Sequence, residues 1–219
     1  MVGRSIAAKL NELGHKVVMG TRNPENTLTK DDKDAYGNAP FKEWYGEYPQ
    51  VGLQTFAEAT RDSDLIFNCT GGQVSISVLE SIGEDVLDGK VLIDVANPLD
   101  FSQGMPPSLS PVNTDSLGEQ IQKRFPNLKV VKSLNTMNAQ LMVNPDLVSG
   151  DHNVFICGNN ESAKTLAREI LVSFGWRDKL IIDLGAITNS RGTEMLLPIW
   201  LRLWGALGTA EFNFHIQMN

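Results

Sequence analysis

Apolar residues recur at helical spacing from the start of the chain, where Val2, Ile6, Leu10 and Leu13 form one stripe along MVGRSIAAKLNEL. Gly14 can take the left-handed conformation that closes such a helix, and Lys16-Val17-Val18-Met19 then reads as a short strand. A helix feeding a buried strand so quickly is half of a βαβ unit. Residues 51–54 form a weak strand, and the capping box Thr55-x-x-Glu58 opens the next helix. Residues 64–69 are a buried strand, 74–82 a helix and 91–96 another strand, while 129–134, 153–157 and 180–184 are strands again. Ser116-x-x-Glu119 starts a helix running through Ile121 and Phe125. Ala163, Leu166, Ala167, Ile170, Leu171 and Phe174 line one face of a helix that Gly175 ends. Strands alternating with helices predict an α/β fold, Rossmann-like and doubly wound around a mostly parallel sheet.

Three segments break this rhythm. Residues 23–50 are polar and rich in turn formers (Pro24, Gly37, Asn38, Pro40, Pro49), yet Phe41, Trp44, Tyr45 and Tyr48 predict a short helix over the sheet edge. Residues 100–113 are long for a strand-to-helix connection and serve either as a lid or as a rigid loop. Residues 194–207 are nearly all apolar but include Pro198 and Arg202, and they fall short of the ~20 residues a membrane span needs. A helix apolar all round is buried, in the core or in a subunit interface; a homodimer formed through it is the expectation. Residues 1–187 are accordingly read as a dinucleotide-binding domain and 188–219 as a C-terminal helical segment.

Composition narrows the function. At 219 residues and 42% hydrophobic content the chain can bury a sizeable core. A formal charge of −7 disfavours a nucleic acid or an anionic membrane as partner. Cys69 and Cys157 lie in apolar runs and read as buried free thiols of a reducing compartment, without metal-ligand spacing. Arg4 and Lys9 interrupt any signal-peptide core, so a cytoplasmic protein is expected. His15, His152 and His215 are scattered, and no catalytic acid or base stands out. That pattern suits hydride transfer, in which the cofactor carries the chemistry and the protein positions two rings.

The strand ends suggest the cofactor. Gly3 stands where the third glycine of G-x-G-x-x-G belongs, which would place a strand and two earlier glycines in roughly 8 to 9 residues ahead of Met1. Alternatively, Gly3 is an ordinary residue at a helix start. At 22 − 3 = 19 positions further on, where an NAD site carries an acid, stands Arg22, preceded by Thr21 and followed by Asn23. A guanidinium fork suits a 2′-phosphate, which favours NADP(H). Thr70-Gly71-Gly72 closes a later strand, as a ligand-approach turn or a plain tight one. Ala96-Asn97-Pro98 closes the next, where Asn97 could hold a nicotinamide ribose or carboxamide. Asn135-Thr136-Met137-Asn138 follows a third strand, either as a substrate-side cluster beside the Asn97 loop or as a polar turn capping the next helix.

Taken together, MVGRSIAAKL with GHKVVMGTRNP, IDVANPLD, KVVKSLNTMNA and VFICGNNESAK resemble the NADP oxidoreductases of the coenzyme F(420)-dependent family over almost the whole length. The resemblance implies pyrophosphate contact at Met1, Val2 and Gly3, and 2′-phosphate contact at Thr21 and Arg22. It implies a nicotinamide half lined by Thr70, Gly71, Ala96, Asn97, Asn138 and Ala139. Membrane-bound metalloreductases share this cofactor half. The longer segments at 23–50 and 100–113 imply an acceptor site unlike that of the compact deazaflavin reductases. The expected activity is hydride transfer between NADPH and a small, flat acceptor such as a deazaflavin or flavin; the alternative is a non-catalytic NADP(H)-binding redox sensor.

Overall fold

A computed structural model describes residues 1–31, 33, 37 and 39–218; Asn38, read above as a turn former, lies outside them. The chain opens with α1 (Val2–Glu12) and turns at Gly14, φ 84°, toward β1 (Val18–Thr21). Then come α2 (Pro24–Thr29), α3 (Phe41–Glu47), β2 (Gly52–Thr55), α4 (Phe56–Arg61), β3 (Leu65–Asn68), α5 (Gly72–Ile82), α6 (Glu84–Leu87) and β4 (Val91–Asp94). A small hairpin of β5 (Leu99–Asp100) and β6 (Ser108–Leu109) precedes α7 (Leu117–Arg124), β7 (Lys129–Ser133) and α8 (Ala139–Val143). The chain ends with β8 (Val154–Gly158), α9 (Glu161–Ser173), β9 (Ile181–Asp183), α10 (Ser190–Leu207) and a tail.

The main sheet has five strands in the order β3-β4-β7-β8-β9. All its pairs are parallel except β7 with β8. At five residues α8 is too short to carry the chain back along the sheet, so β8 runs against β7. Alternate side chains of each strand enter opposite cores. Ile93 and Val131 join Ile6 of α1 and Leu171 of α9 on one face. Leu92 and Val130 join Leu79 of α5 and Ile121 of α7 on the other. This is the doubly wound arrangement the pattern predicts. No helix among the described residues is long and apolar enough to cross a membrane.

β1 and β2 form a separate parallel pair. Between β1 and β3 lies a cleft of about 560 Å³, lined by Gly3, Ile6 and Ala7 of α1 together with Met19, Phe67 and Cys69.

The aromatic helix α3 packs with α2 and is also reached from α1, where the Arg4 guanidinium sits 5.6 Å from the Phe41 ring centroid and donates to the Ala39 carbonyl at 2.6 Å. One expectation changes. α10 buries a mixed face. Met195, Ile199 and Leu207 are exposed, whereas Ser190, Thr193 and Glu194 are buried alongside Leu197 and Trp200. The inward carboxylate has a physical cause, since α10 meets the start of α7, where first-turn amides need acceptors. Glu194 accepts from Leu117 N at 3.0 Å and Gly118 N at 3.1 Å. Within residues 100–113, Leu109 is buried with Leu197 and Trp200, a cluster that Leu99 of β5 also packs against, while Phe101 and Met105 are exposed, so the hairpin is pinned at its base and open at its tip.

Candidate functional site

Asn68, Asp94 and Lys132 stand in one cross-strand row near the carboxyl ends of β3, β4 and β7. All three are buried. Asn68 Nδ2 donates to Asp94 Oδ1 at 2.8 Å and to Ser75 Oγ at 3.0 Å, and Asn68 Oδ1 accepts from the Thr70 hydroxyl at 2.6 Å and the Thr70 amide at 3.2 Å. Lys132 Nζ donates to Asp94 Oδ2 at 2.8 Å, to Glu194 Oε1 at 2.9 Å and to the Ala96 carbonyl. Burial by itself would push this ammonium down. The carboxylates of Asp94 and Glu194 outweigh it and hold the group above the ordinary lysine value.

Above this row the strand-end turns lock together. Asn97 Nδ2 donates to the Asn135 carbonyl at 2.8 Å, and Asn135 Nδ2 returns a bond to Asn97 Oδ1 at 3.0 Å. A Cβ on Gly72 would lie 2.1 Å from the Asn97 carbonyl oxygen and 2.8 Å from Pro98 Cα, whereas one on Gly71 would meet nothing closer than Val74 at 4.0 Å. The glycine pair therefore has two functions: Gly72 admits the neighbouring backbone, and Gly71 leaves its face open. Thr70, Gly71, Ala96, Asn97, Pro98 and Asn135 are thus gathered at one sheet edge.

The rest of the expected site divides. Thr136 and Met137 are buried, with Met137 in the hydrophobic core and the Thr136 hydroxyl lacking a hydrogen-bond partner. Asn138 caps α8, accepting from Gln140 N at 2.7 Å, and its amide donates to the Ala210 carbonyl of the tail at 3.3 Å. Ala139 is buried behind it. At the tip of β1, the Thr21 hydroxyl pairs with that of Thr27 at 2.8 Å, and Asn23 caps α2 by accepting from Asn26 N at 2.9 Å. Arg22 is exposed and makes no hydrogen bond or ion pair among the described residues. Met1, Val2 and Gly3 form the start of α1, where first-turn amides precede any carbonyl that could accept them within the helix. A Cβ on Gly3 would lie 3.5 Å from Cys69 Cβ and 3.7 Å from Met19 Cε. The start of α1 therefore meets both strands flanking the cleft, and Arg22 and the Thr70 turn open at the same end of that helix. The Cys69 thiol is free, and burial, with Asp94 adding to it, pushes its pKa up to about 12.

The sequence pattern did not single out Asp94, Lys132 or Glu194. Each left a trace, a lone charge inside an otherwise apolar run: VLIDVA, VVKSL and EMLLPIWL.

Residues 1–98, which end at the Asn97-Pro98 turn, match the family described as NADP oxidoreductase, coenzyme F(420)-dependent. A crystal structure from Arthrobacter sp. FB24, provisionally designated an F(420)-dependent NADP reductase, has a TM-score of 0.94 and 54% identity, covering 99% of this chain and 95% of that one. Metalloreductase STEAP3 of Rattus norvegicus is 29% identical over 90% of this chain, and metalloreductase STEAP2 of Homo sapiens is 27% identical over 96% of it. The chain spans 35% and 38% of the lengths of these two curated relatives. A likeness that runs end to end at more than half identity, together with the family match over residues 1–98, assigns the protein: it belongs to the coenzyme F(420)-dependent NADP oxidoreductase family.

Proposed function

We propose that the protein moves a hydride between NADPH and a flat, conjugated acceptor such as a deazaflavin or flavin. The observation that carries this reading is Arg22, an exposed guanidinium without a partner among the described residues, at a strand tip that opens at the same end of α1 as the interlocked turns. Arg22 takes the 2′-phosphate, with Thr21 and Asn23 shaping the loop that presents it. The helix start at Met1, Val2 and Gly3 faces the pyrophosphate, with the Val2 and Gly3 amides in its first turn. Thr70, Gly71, Ala96, Asn97 and Pro98 line the nicotinamide half. Asn138 and Ala139 support it from behind, and the acceptor side is bounded by Asn135, Thr136 and Met137. NADPH supplies the hydride and its electron pair, so the chain's own task is to hold two rings face to face and keep water out. Residues 1–187 form the cofactor unit. Residues 188–219 join two copies through the exposed apolar face of α10.

Steady-state oxidation of NADPH and NADH against a deazaflavin and a flavin tests the reading. A charge-assisted contact to phosphate is worth roughly 1.5–3 kcal/mol, so Arg22→Ala should raise the KM for NADPH by about 10- to 100-fold and leave NADH turnover unchanged. Equal losses for both nucleotides would remove the 2′-phosphate assignment. Calorimetric NADP binding without turnover on any acceptor would favour a redox sensor instead.

A further inference from the structure

The buried ion group under the strand-end turns holds more than it needs for neutrality. A lysine ammonium has three protons, and in Lys132 each has an acceptor: Asp94, Glu194 and the Ala96 carbonyl. Asp94 Oδ1 in turn accepts from the Ala96 amide at 3.2 Å and from Asn68, whose own side-chain oxygen holds Thr70. Ala96 is therefore gripped on both sides, its N–H by Asp94 and its C=O by Lys132. The peptide leading into Asn97 cannot rotate without breaking a fully buried charged bond. Apolar residues of similar volume would serve the core at least as well, because buried ion pairs carry a desolvation penalty that their attraction often fails to exceed. What an apolar trio could not supply is this two-sided hold.

We infer that Lys132 is a positioning residue for the nicotinamide half of the cofactor: with Asp94 it sets the Ala96-Asn97 and Thr70-Gly71 turns relative to each other, and through Glu194 it makes that setting depend on the seating of α10. Glu194 is the only one of the three charges that arrives from outside the sheet, and it also caps α7. Displacing α10 would therefore release one of the three bonds that hold the cation beneath Asn97.

The inference rests on the proposed cofactor site, and its test separates the two. Glu194→Gln keeps the shape and removes the charge; Lys132→Met removes the hub, and Glu194→Gln carries the test if Lys132→Met fails to fold. Two ligands are titrated calorimetrically into the parent and each folded variant: NADP, and adenosine 2′,5′-bisphosphate, which contains the adenosine and its phosphates but no nicotinamide. Amide hydrogen exchange at Ala96 and Asn97 is followed without ligand. The expected result is unchanged binding of the fragment, NADP binding weakened at least tenfold, and faster exchange at Ala96 and Asn97 with the β8–β9 core unaffected. Unchanged exchange at these two amides, or equal weakening of both ligands, would overturn the positioning role. A parent protein that binds neither ligand would instead sink the cofactor assignment, while the exchange measurement would still decide whether Lys132 sets the turn.

Discussion

Gly72 has no space for any other side chain, since a Cβ there would fall 2.1 Å from the Asn97 oxygen and 2.6 Å from its carbonyl carbon. Those atoms belong to backbone held by Asn135 and cannot move aside as a flexible side chain would. Gly72→Ala should therefore cost about 2–4 kcal/mol by forcing the two turns apart, visible as a fall of roughly 5–15 °C in Tm. Gly71→Ala is the control. Its backbone, at φ −64° and ψ 136°, suits any residue, and its surroundings are open. Stability should be nearly unchanged there, and only NADP affinity should fall. In the sequence the two glycines look alike; their functions separate only once the β4 exit is placed against one of them. The place of Arg22 just past a strand tip was legible because the distance from a helix-opening glycine to that tip is set by the βα unit itself. Thr21 and Asn23 are adjacent to it, yet both are engaged in local bonds that spacing cannot reveal. Lys132 was hidden for the opposite reason, because one charge in an apolar strand looks like an edge or an error until its partners from two other elements are in view.

At the level of elements, periodicity located the regular strands and long helices, and the Thr55–Glu58 box closes in both directions as its spacing implies. The short pieces were not visible. α2 and the two-residue strands of the β5–β6 hairpin are too brief to show a period. The second box was read correctly as a helix start but not as a junction. Ser116 Oγ donates to Glu119 at 2.7 Å, and the Glu119 carboxylate also receives two bonds from Arg191 of α10 at 2.7 and 2.6 Å. The Arg191 guanidinium, helped by Ser116, holds the Glu119 carboxyl below its ordinary value. A carboxyl lowered in the folded state stabilises fully above its unfolded pKa, about 4.3, and loses that contribution as pH falls through the folded one. The pair is partly exposed, so Glu119→Gln should cost less than about 1 kcal/mol at pH 7. Thermal unfolding from pH 7 to pH 3 should show the gap between parent and variant closing below about pH 4. A gap that stays constant would mean the bridge contributes through packing alone.

For the whole molecule, the doubly wound plan could be read in advance because every passage between neighbouring strands of the main sheet except β7 to β8 carries a recognisable helix. The polar groups on the inner face of α10 could not, since a helix wheel shows which side is apolar and not which charges are drawn inward beside it. Its outer face leaves Ile199 at 47% and Leu207 at 56% exposure, the surface on which the two-copy proposal rests. Light scattering of the purified protein should give twice the chain mass, and Ile199→Glu should halve it without lowering Tm; a monomeric parent would end the two-copy reading.

The placement of α1 has a mechanical consequence. Arg22 follows β1 of the small sheet and the Asn97–Asn135 pair stands above the large one, while the start of α1 touches both Met19 of β1 and Cys69 beyond β3. Under the proposed cofactor site the two ends of one dinucleotide are held on either side of that helix start, which then acts as the spacer between the two grips. A change that shifts α1 should therefore loosen both ends of the ligand together.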